Sequence, residues 1–306
     1  MKTFITGGSG FIGAHLLEEL IMAGHSAISL DWRETDVKLS GVEYILLDFS
    51  RYDELLNVLK RVRPDVVCHL GAVPSVQTSI RAPMESVHSN ISGLCSVLEA
   101  SRVAGVKRVV FASSAAVYGT TGKIYSGKPL FENLPLDPVN PYGLQKKYGE
   151  EMMKMWVAPL WQEHMDTVSL RFFNVFGPRQ KRDSAYATAI ERFLHQRHSG
   201  EPLTIVPDGT QRRDMVFVGD VVRAIRLAVE ARERFEGEVI NIGSGTNYSI
   251  LEIADIIGGS GYARTFIDPR PGEVKESLAD ISKAKKLLKW KPEVSFKKGI
   301  ELLKIE

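Results

Sequence analysis

Short apolar runs alternate with amphipathic helical patterns through the first half of the chain. The runs fall at residues 3–6, 27–31, 44–47, 66–70, 109–113 and 168–173, and helical periodicity fills 11–23, 53–62, 84–103 and 142–156 between them. Strands that are apolar throughout belong inside a parallel sheet covered on both faces, and the intervening helices supply the cover. The pattern predicts an α/β fold built on a doubly wound parallel sheet. After residue 174 the regularity fades, and Gly177-Pro178, Pro207-Asp208-Gly209, Gly243-Ser244-Gly245, Gly258-Gly259 and Pro269-Arg270-Pro271-Gly272 punctuate short elements. This predicts a smaller C-terminal α/β lobe over the carboxyl ends of the strands. A helix over 221–230 and a strand over 239–242 are expected to return to the main sheet. The expected division is a doubly wound domain over 1–173, rejoined by 214–242, and a smaller lobe from 174–213 and 243–306.

Composition narrows the partners. The 306 residues carry 44% hydrophobic and 25% charged side chains, ordinary globular values. A net charge of +2 provides no bulk attraction to nucleic acid or an anionic membrane, so any anion must be held by local arginines. No apolar run approaches the ~20 residues needed to span a bilayer. Met1 to Gly7 lead straight into a strand and a glycine loop, with no hydrophobic leader before them, and a cytoplasmic location is expected. Cys68 and Cys95 are too few for a disulfide framework and read as buried thiols.

Gly7, Gly10 and Gly13 stand between the first strand and the first helix. That GxxGxxG spacing puts Gly7 in a tight turn, Gly10 where backbone approaches a pyrophosphate, and Gly13 at a helix–strand contact. The pyrophosphate then sits on the helix N-terminus, as in Rossmann folds. A tight strand-to-helix turn could use the same glycines, but this context is the one that makes the motif credible. Asp31 ends the second strand, 18 residues after Gly13. A carboxylate there accepts from ribose hydroxyls and repels a 2′-phosphate, which favours NAD over NADP; Arg33 lies near enough to work against that preference. Asp48 follows the third strand and suits either an adenine amino group or a helix N-cap.

Tyr142 and Lys146 are four residues apart and share one helix face. An adjacent ammonium favours the phenolate, so such a phenol can exchange a proton with a sugar hydroxyl near neutral pH while a nicotinamide exchanges the hydride. A surface Tyr and Lys would show the same spacing. Here, however, the pair follows a strand ending in Ser113-Ser114, with Ala115-Ala116-Val117-Tyr118-Gly119 after it and Asn140-Pro141 opening the helix.

With the glycine loop, these residues resemble the extended short-chain dehydrogenase/reductase family, specifically its NAD-dependent nucleotide-sugar epimerase branch. The resemblance spans essentially the whole chain and includes Arg171-Phe172-Phe173-Asn174-Val175-Phe176-Gly177-Pro178-Arg179, Arg213-Asp214-Met215-Val216-Phe217-Val218-Gly219-Asp220 and Arg270-Pro271-Gly272-Glu273. It implies that Tyr142 accepts and donates the proton. It also implies that Lys146 binds the nicotinamide ribose and lowers the tyrosine pKa, and that Ser114 hydrogen-bonds the reacting hydroxyl. Further cofactor contacts are implied at Phe11, Ile12, Arg33, Phe49, Leu70, Ala72 and Asn90. Arg213 and Arg270 match the family's diphosphate-binding arginines, a task that suits a planar bidentate donor. Asn174 matches an asparagine at the same diphosphate and Glu273 an acid on the nucleoside ribose. Arg212, beside Arg213, could take its role if the register shifts. Departures from the family pattern are Pro74, where some members place a lysine, and Phe176 in place of a commoner Tyr.

Two alanines sharpen the reaction class. Related 4,6-dehydratases carry Asp-Glu where this chain has Ala115-Ala116, and related decarboxylases carry a Glu at the Ala116 position. Without such an acid, elimination of water lacks its proton donor, which leaves hydride withdrawal and return. The expected reaction is epimerisation at carbon 4 through a 4-keto sugar, on UDP-glucose/UDP-galactose or the acetamido pair UDP-GlcNAc/UDP-GalNAc. Rival readings are a ketosugar reductase, a UDP-glucuronate epimerase and a dinucleotide sensor without catalysis.

Other patterns carry structure. Tyr148, Met152, Met155 and Trp156 form a core or interface stripe, and the resemblance implies a homodimer through this helix and the one before it. His195 and His198 lack neighbours for a metal site, and Lys283-Ala284-Lys285-Lys286 reads as the wet side of a helix. Ser277 occupies a position where a bulky Tyr restricts the sugar pocket in family 4-epimerases, so serine should admit a 2-acetamido group. Ser277→Tyr is expected to suppress turnover of the acetamido sugar selectively; equal loss on both sugar types in a coupled assay would remove the gate.

Overall fold

In this computed structural model, residues 1–35, 38–157, 165–180, 189–268 and 275–303 are described. Leucine-rich and β-branched runs form the strands and amphipathic stretches the helices. The first half comprises β1 (Lys2–Thr6), α1 (Phe11–Met22), β2 (Ser26–Asp31), β3 (Glu43–Leu46), α2 (Tyr52–Val62), β4 (Val66–His69), α3 (Val76–Arg81), α4 (Pro83–Val87), α5 (Gly93–Val103), β5 (Arg108–Ser114), α6 (Thr121–Ile124) and α7 (Pro141–Met155). The second half adds β6 (Asp166–Phe172), β7 (Asn174–Phe176), α8 (Ala189–His198), β8 (Leu203–Ile205), β9 (Arg212–Phe217), α9 (Val218–Glu230), β10 (Glu238–Ile242), β11 (Asn247–Ser249), α10 (Ile250–Gly258), β12 (Arg264–Phe266), α11 (Ser282–Leu287) and α12 (Phe296–Leu303).

Seven strands form one sheet in the order β10-β6-β5-β4-β1-β2-β3, and every pairing in it is parallel. The fold is the doubly wound Rossmann type. The chain leaves β1 toward β2 and β3 on one side and resumes at β4 on the other, so a crevice opens at the carboxyl ends of β1 and β4. One face is covered by α1 and α9, which bury Leu16, Leu17 and Leu20 against Val221, Ile225 and Val229. Leu55 and Leu59 of α2 pack with Leu94, Val97 and Leu98 of α5 on the other. As the apolar pattern predicts, α9 and β10 return to the main body, with β10 pairing β6.

A second sheet, β11-β9-β7, sits beyond these strands, and β12 pairs β8. Because β9 is its central strand, the chain leaves the small sheet at Phe217 and enters α9 directly. The small elements gather around Phe176, Phe193, Ile253 and Phe296.

Local details differ from the sequence pattern. The helix expected over 84–103 runs unbroken from Pro83 to Val103 as α4 and α5, joined by one π-helical turn at His88–Ser92, with the short α3 preceding it. Pro83 starts the new segment, since its ring fits the first helical turn but not an interior. Asp48 is not the N-cap of α2: Arg51 holds that place, and the Asp48 carboxylate instead accepts from Ser50 N at 2.9 Å in its own turn. Cys68 is buried as expected, but Cys95 lies on the exposed side of α5. His195 and His198 are exposed, and among the described residues no cluster of His, Cys, Asp and Glu could hold a metal. Among the described residues, no helix is long and apolar enough to cross a membrane.

Candidate active site

The glycine loop crosses the crevice as its spacing requires. Gly7 adopts φ +75°, and a Cβ there would lie 2.7 Å from Gly71 N; one on Gly13 would lie 2.1 Å from Gly7 O. Both positions therefore exclude a side chain. Gly10 is extended at the N-cap of α1, and no side chain caps that end. The first amides of α1, with half-buried Phe11 and Ile12 in the first turn, face the crevice as an anion site of the kind a pyrophosphate fills. Asp31, at the end of β2, accepts from Ser9 N at 3.1 Å and Arg33 N at 3.2 Å. Burial raises its carboxyl above the usual range, and those amide donors oppose the shift. The Arg33 guanidinium lies 4.0 Å from the Trp32 ring. An uncapped helix end, closely packed glycines and a ribose-height carboxylate form a set that fits a dinucleotide.

The remaining cofactor-site candidates line or brace this crevice. Leu70 and Ala72 are half-buried just past β4. Phe49 turns its ring inward, edge-on to His69 at 5.1 Å, where it fills the space a Cβ on Gly71 or Gly93 would need. Asp48 is exposed at the rim. Asn90, in the π-helical turn, accepts from Val73 N at 2.8 Å and donates to Gln145 Oε1 at 2.7 Å. It thereby pins the segment after β4 to α7.

Asn140 caps α7 by accepting from Gly143 N at 2.8 Å, and Pro141 occupies the first turn. The Tyr142 amide is held by Ser79 Oγ at 3.1 Å. These contacts bring the Tyr142 phenol beside the Ser114 hydroxyl at the end of β5, which works against the upward shift of the phenol. Ser114 Oγ also accepts from Ala116 N at 3.2 Å. Buried Lys146 donates to Ala112 O at 2.7 Å, with its Nζ 4.6 Å from the Phe111 ring centre and 5.8 Å from that of Tyr142. Ser114, Tyr142 and Lys146 are thus one cluster. The expectation that the ammonium holds the phenol near ionisation is not met in the protein alone. Burial dominates both groups, pushing Tyr142 up to about 12 against the Ser114 hydrogen bond and pulling Lys146 down to about 7 against the attraction of Glu150. The ammonium is directed to the Ala112 carbonyl, so it does not touch the phenol.

Beside this cluster, Asn174 opens β7 and donates to Asp214 O at 3.0 Å and Ser277 Oγ at 3.3 Å. Ser277 is buried, and its hydroxyl also accepts from Asp214 N at 3.3 Å. Arg213 lies along the neighbouring backbone, donating to Lys275 O at 3.3 Å and Arg212 O at 2.9 Å. Arg212 points to the opposite face of β9, where it donates to Asn247 and pairs with Glu252 at 3.1 Å; it does not replace Arg213. Arg270 and Glu273 lie outside the described residues. Sequence reasoning missed Asp214 as the organiser of this corner. Its buried carboxylate accepts from Ser244 N, Ser244 Oγ, Gly245 N and Ala279 N, contacts between residues too distant in the chain to form a motif.

This geometry defines a Rossmann-fold oxidoreductase-type site, with a Ser-Tyr-Lys cluster beside a dinucleotide crevice. A family model, the NAD dependent epimerase/dehydratase family, matches residues 3–243, and the chain belongs to that family. It is 36% identical to the Bacillus subtilis (strain 168) protein named uncharacterized UDP-glucose epimerase YtcB, over 98% of this chain and 96% of that one. It superposes on UDP-glucose 4-epimerase from Thermotoga maritima with UDP-glucose at a TM-score of 0.88 and 30% identity, covering 99% of this chain and 97% of the other. UDP-glucuronic acid 4-epimerase from Bacillus cereus, in complex with UDP-glucuronic acid and NAD, gives 0.87 and 33% over the same shares.

Lys146→Met separates catalysis from stability. Turnover is expected to fall about 10²–10⁴-fold, the usual value of a proton-transfer partner. Stability should change the other way. The native amine titrates near 7 against an ordinary 10.5, so burying it costs most where both folded and unfolded states hold the proton. The variant should gain stability over the parent below about pH 7, with the gain shrinking as pH rises toward 10.5. Urea unfolding across pH measures this, and a pH-independent difference would refute the buried-amine assignment.

Proposed function

We propose that this protein is an NAD-dependent nucleotide-sugar 4-epimerase that interconverts UDP-glucose and UDP-galactose, the corresponding acetamido sugars, or both, through a transient 4-keto sugar. The observation that carries this reading is the gathering of Ser114 at the carboxyl end of β5, Tyr142 and buried Lys146 into one cluster, with the Lys146 Nζ 5.8 Å from the Tyr142 ring and 2.7 Å from the Ala112 carbonyl, beside the glycine crevice. NAD, when bound, supplies the hydride acceptor and donor together with a positive pyridinium charge.

The chain's own residues hold and move everything else. The amides of Gly10 to Gly13 take the pyrophosphate and Asp31 the adenosine ribose. Lys146 orients the nicotinamide ribose. Ser114 hydrogen-bonds the O4 hydroxyl, and Tyr142 removes its proton and later returns one to O4 of the turned ketone, whose opposite face then takes the hydride at carbon 4. Arg213, Asn174 and, in the segment outside the described residues, Arg270 anchor the diphosphate, and Glu273 of that same segment the nucleoside ribose, while the sugar rotates. Ala115 and Ala116 present no carboxylic acid at the end of β5, which supports hydride return over elimination.

Incubating the protein and NAD with a panel of UDP-sugars and resolving products by proton NMR tests the reaction. Epimer formation with no net NADH is expected, and stoichiometric NADH consumption would instead mark a reductase. Tyr142→Phe should remove most turnover while leaving NAD binding intact; a variant as active as the parent refutes the assignment. We also propose a homodimer through α7 and the helices before it, where Leu144, Tyr148, Met155, Met84 and Val87 are exposed. Light scattering at micromolar protein should give twice the chain mass of 34.0 kDa, and a monomeric mass would overturn it.

A further inference from the structure

A buried polar hub lies behind the Tyr142–Lys146 face of α7. Glu150, one turn beyond Lys146, is fully buried. Arg171 grips both its oxygens, Nε to Oε1 and Nη2 to Oε2 at 2.7 Å each, and Ser113 Oγ donates to Oε1 at 2.5 Å. Arg171 Nη1 continues to the Tyr118 hydroxyl at 3.0 Å and Glu132 O at 3.1 Å, and that hydroxyl donates to Asn241 Oδ1 at 2.8 Å. Ser113 and Arg171 are register partners on β5 and β6, and Ser113 directly precedes Ser114. One carboxylate therefore ties the helix bearing Tyr142 and Lys146 to the strand that ends in Ser114.

A buried ion pair is a poor way to gain stability, because apolar residues of similar volume fill the same space as well or better. A fork-to-fork pair instead restricts geometry, since both hydrogen bonds fail together when the helix slides or turns. Its charge also matters locally. The groups facing Lys146 are Tyr142 on its own helix, the Ala112 carbonyl and Phe111 ring of β5, and His69 from β4 stacked on that ring; Arg171 from β6 faces Glu150. Burial, with Lys146 nearby, pulls His69 down to about 3, so it is neutral. Glu150 is the anion that opposes the desolvation of the ammonium.

We propose that Glu150 is a positioning residue of this site: through Ser113 and Arg171 it sets the register of α7 on β5 and β6, and it keeps a negative charge one turn behind the Lys146 ammonium. The proposal rests on the reading of Tyr142 and Lys146 given above. Its test follows the Lys146 amine directly, by lysine-labelled NMR titration of the full chain, with the signal assigned by its loss in Lys146→Met. Glu150→Gln should lower the titration midpoint by about one unit. Ser113→Ala keeps both charges, so it should leave the midpoint in place yet lower kcat about tenfold at unchanged KM, the level expected from a slightly misplaced proton-transfer partner. If Glu150→Gln does not fold, Glu150→Leu with Arg171→Met removes the pair together and should show the same fall in midpoint. A folded variant without the carboxylate whose midpoint matches the parent overturns the proposal, as does Ser113→Ala with only a lowered Tm. Loss of turnover in Tyr142→Phe beside an unmoved midpoint would sink the hub and spare the enzymatic reading. A parent protein inactive on every sugar, with the midpoint moved, would do the reverse.

Discussion

The Lys146 ammonium, folded onto the Ala112 carbonyl at 2.7 Å, is the contact around which the site is arranged. It carries a charge into the interior, where an unpaired cation is expensive, and it holds α7 against the carboxyl end of β5. Everything that positions the phenol acts in concert with it. Asn140 and Pro141 start the helix, Ser79 holds the Tyr142 amide, and the Glu150–Arg171 pair closes the far end. A surface lysine could not serve this way, because solvent would screen its charge and its side chain would sample many rotamers.

The dinucleotide crevice follows from topology. A parallel sheet that winds outward in two directions leaves strand ends without a crossing helix at the point of reversal. In this chain that point lies between β1 and β4, and the glycine loop crosses it so tightly that Gly7 and Gly13 admit no side chain. The same closeness orders the segment after β4, through Gly71 and the Asn90 amide. Cofactor loop and catalytic helix are therefore braced by a shared set of contacts, since Asn90 reaches Gln145 on α7. The two halves of the site cannot move independently without breaking buried hydrogen bonds, which are costly to leave unmade.

Much of this was legible in the chain. Alternating apolar runs and amphipathic stretches specify βαβ units because a parallel strand is buried on both faces, and the seven-stranded parallel sheet bears that out. The glycine spacing, the Asn140-Pro141 helix start and the Tyr142/Lys146 interval are local signals, each governed by backbone geometry within a few residues. The helix over 84–103 was legible as well, but the π-helical turn within it was harder to read. The π-helical turn at His88–Ser92 has no short-range signature, because it answers to the need of Asn90 to reach Val73 and Gln145.

By itself, then, the sequence determined the class of fold and the glycine crevice, set by short-range periodicity and turn chemistry, while its resemblance to a family singled out the phenol, ammonium and hydroxyl. Tertiary structure alone decided the protonation balance among them. Burial, which no single residue type encodes, raises Tyr142 and lowers Lys146. Tertiary structure also set the direction of Arg212, which strand alternation and the pull of Asn247 and Glu252 turn away from Arg213. Glu150 and Asp214 acquire their parts the same way. Their partners come from β5, β6 and distant loops, and a carboxylate becomes a hub only when folding removes the water that would otherwise solvate it.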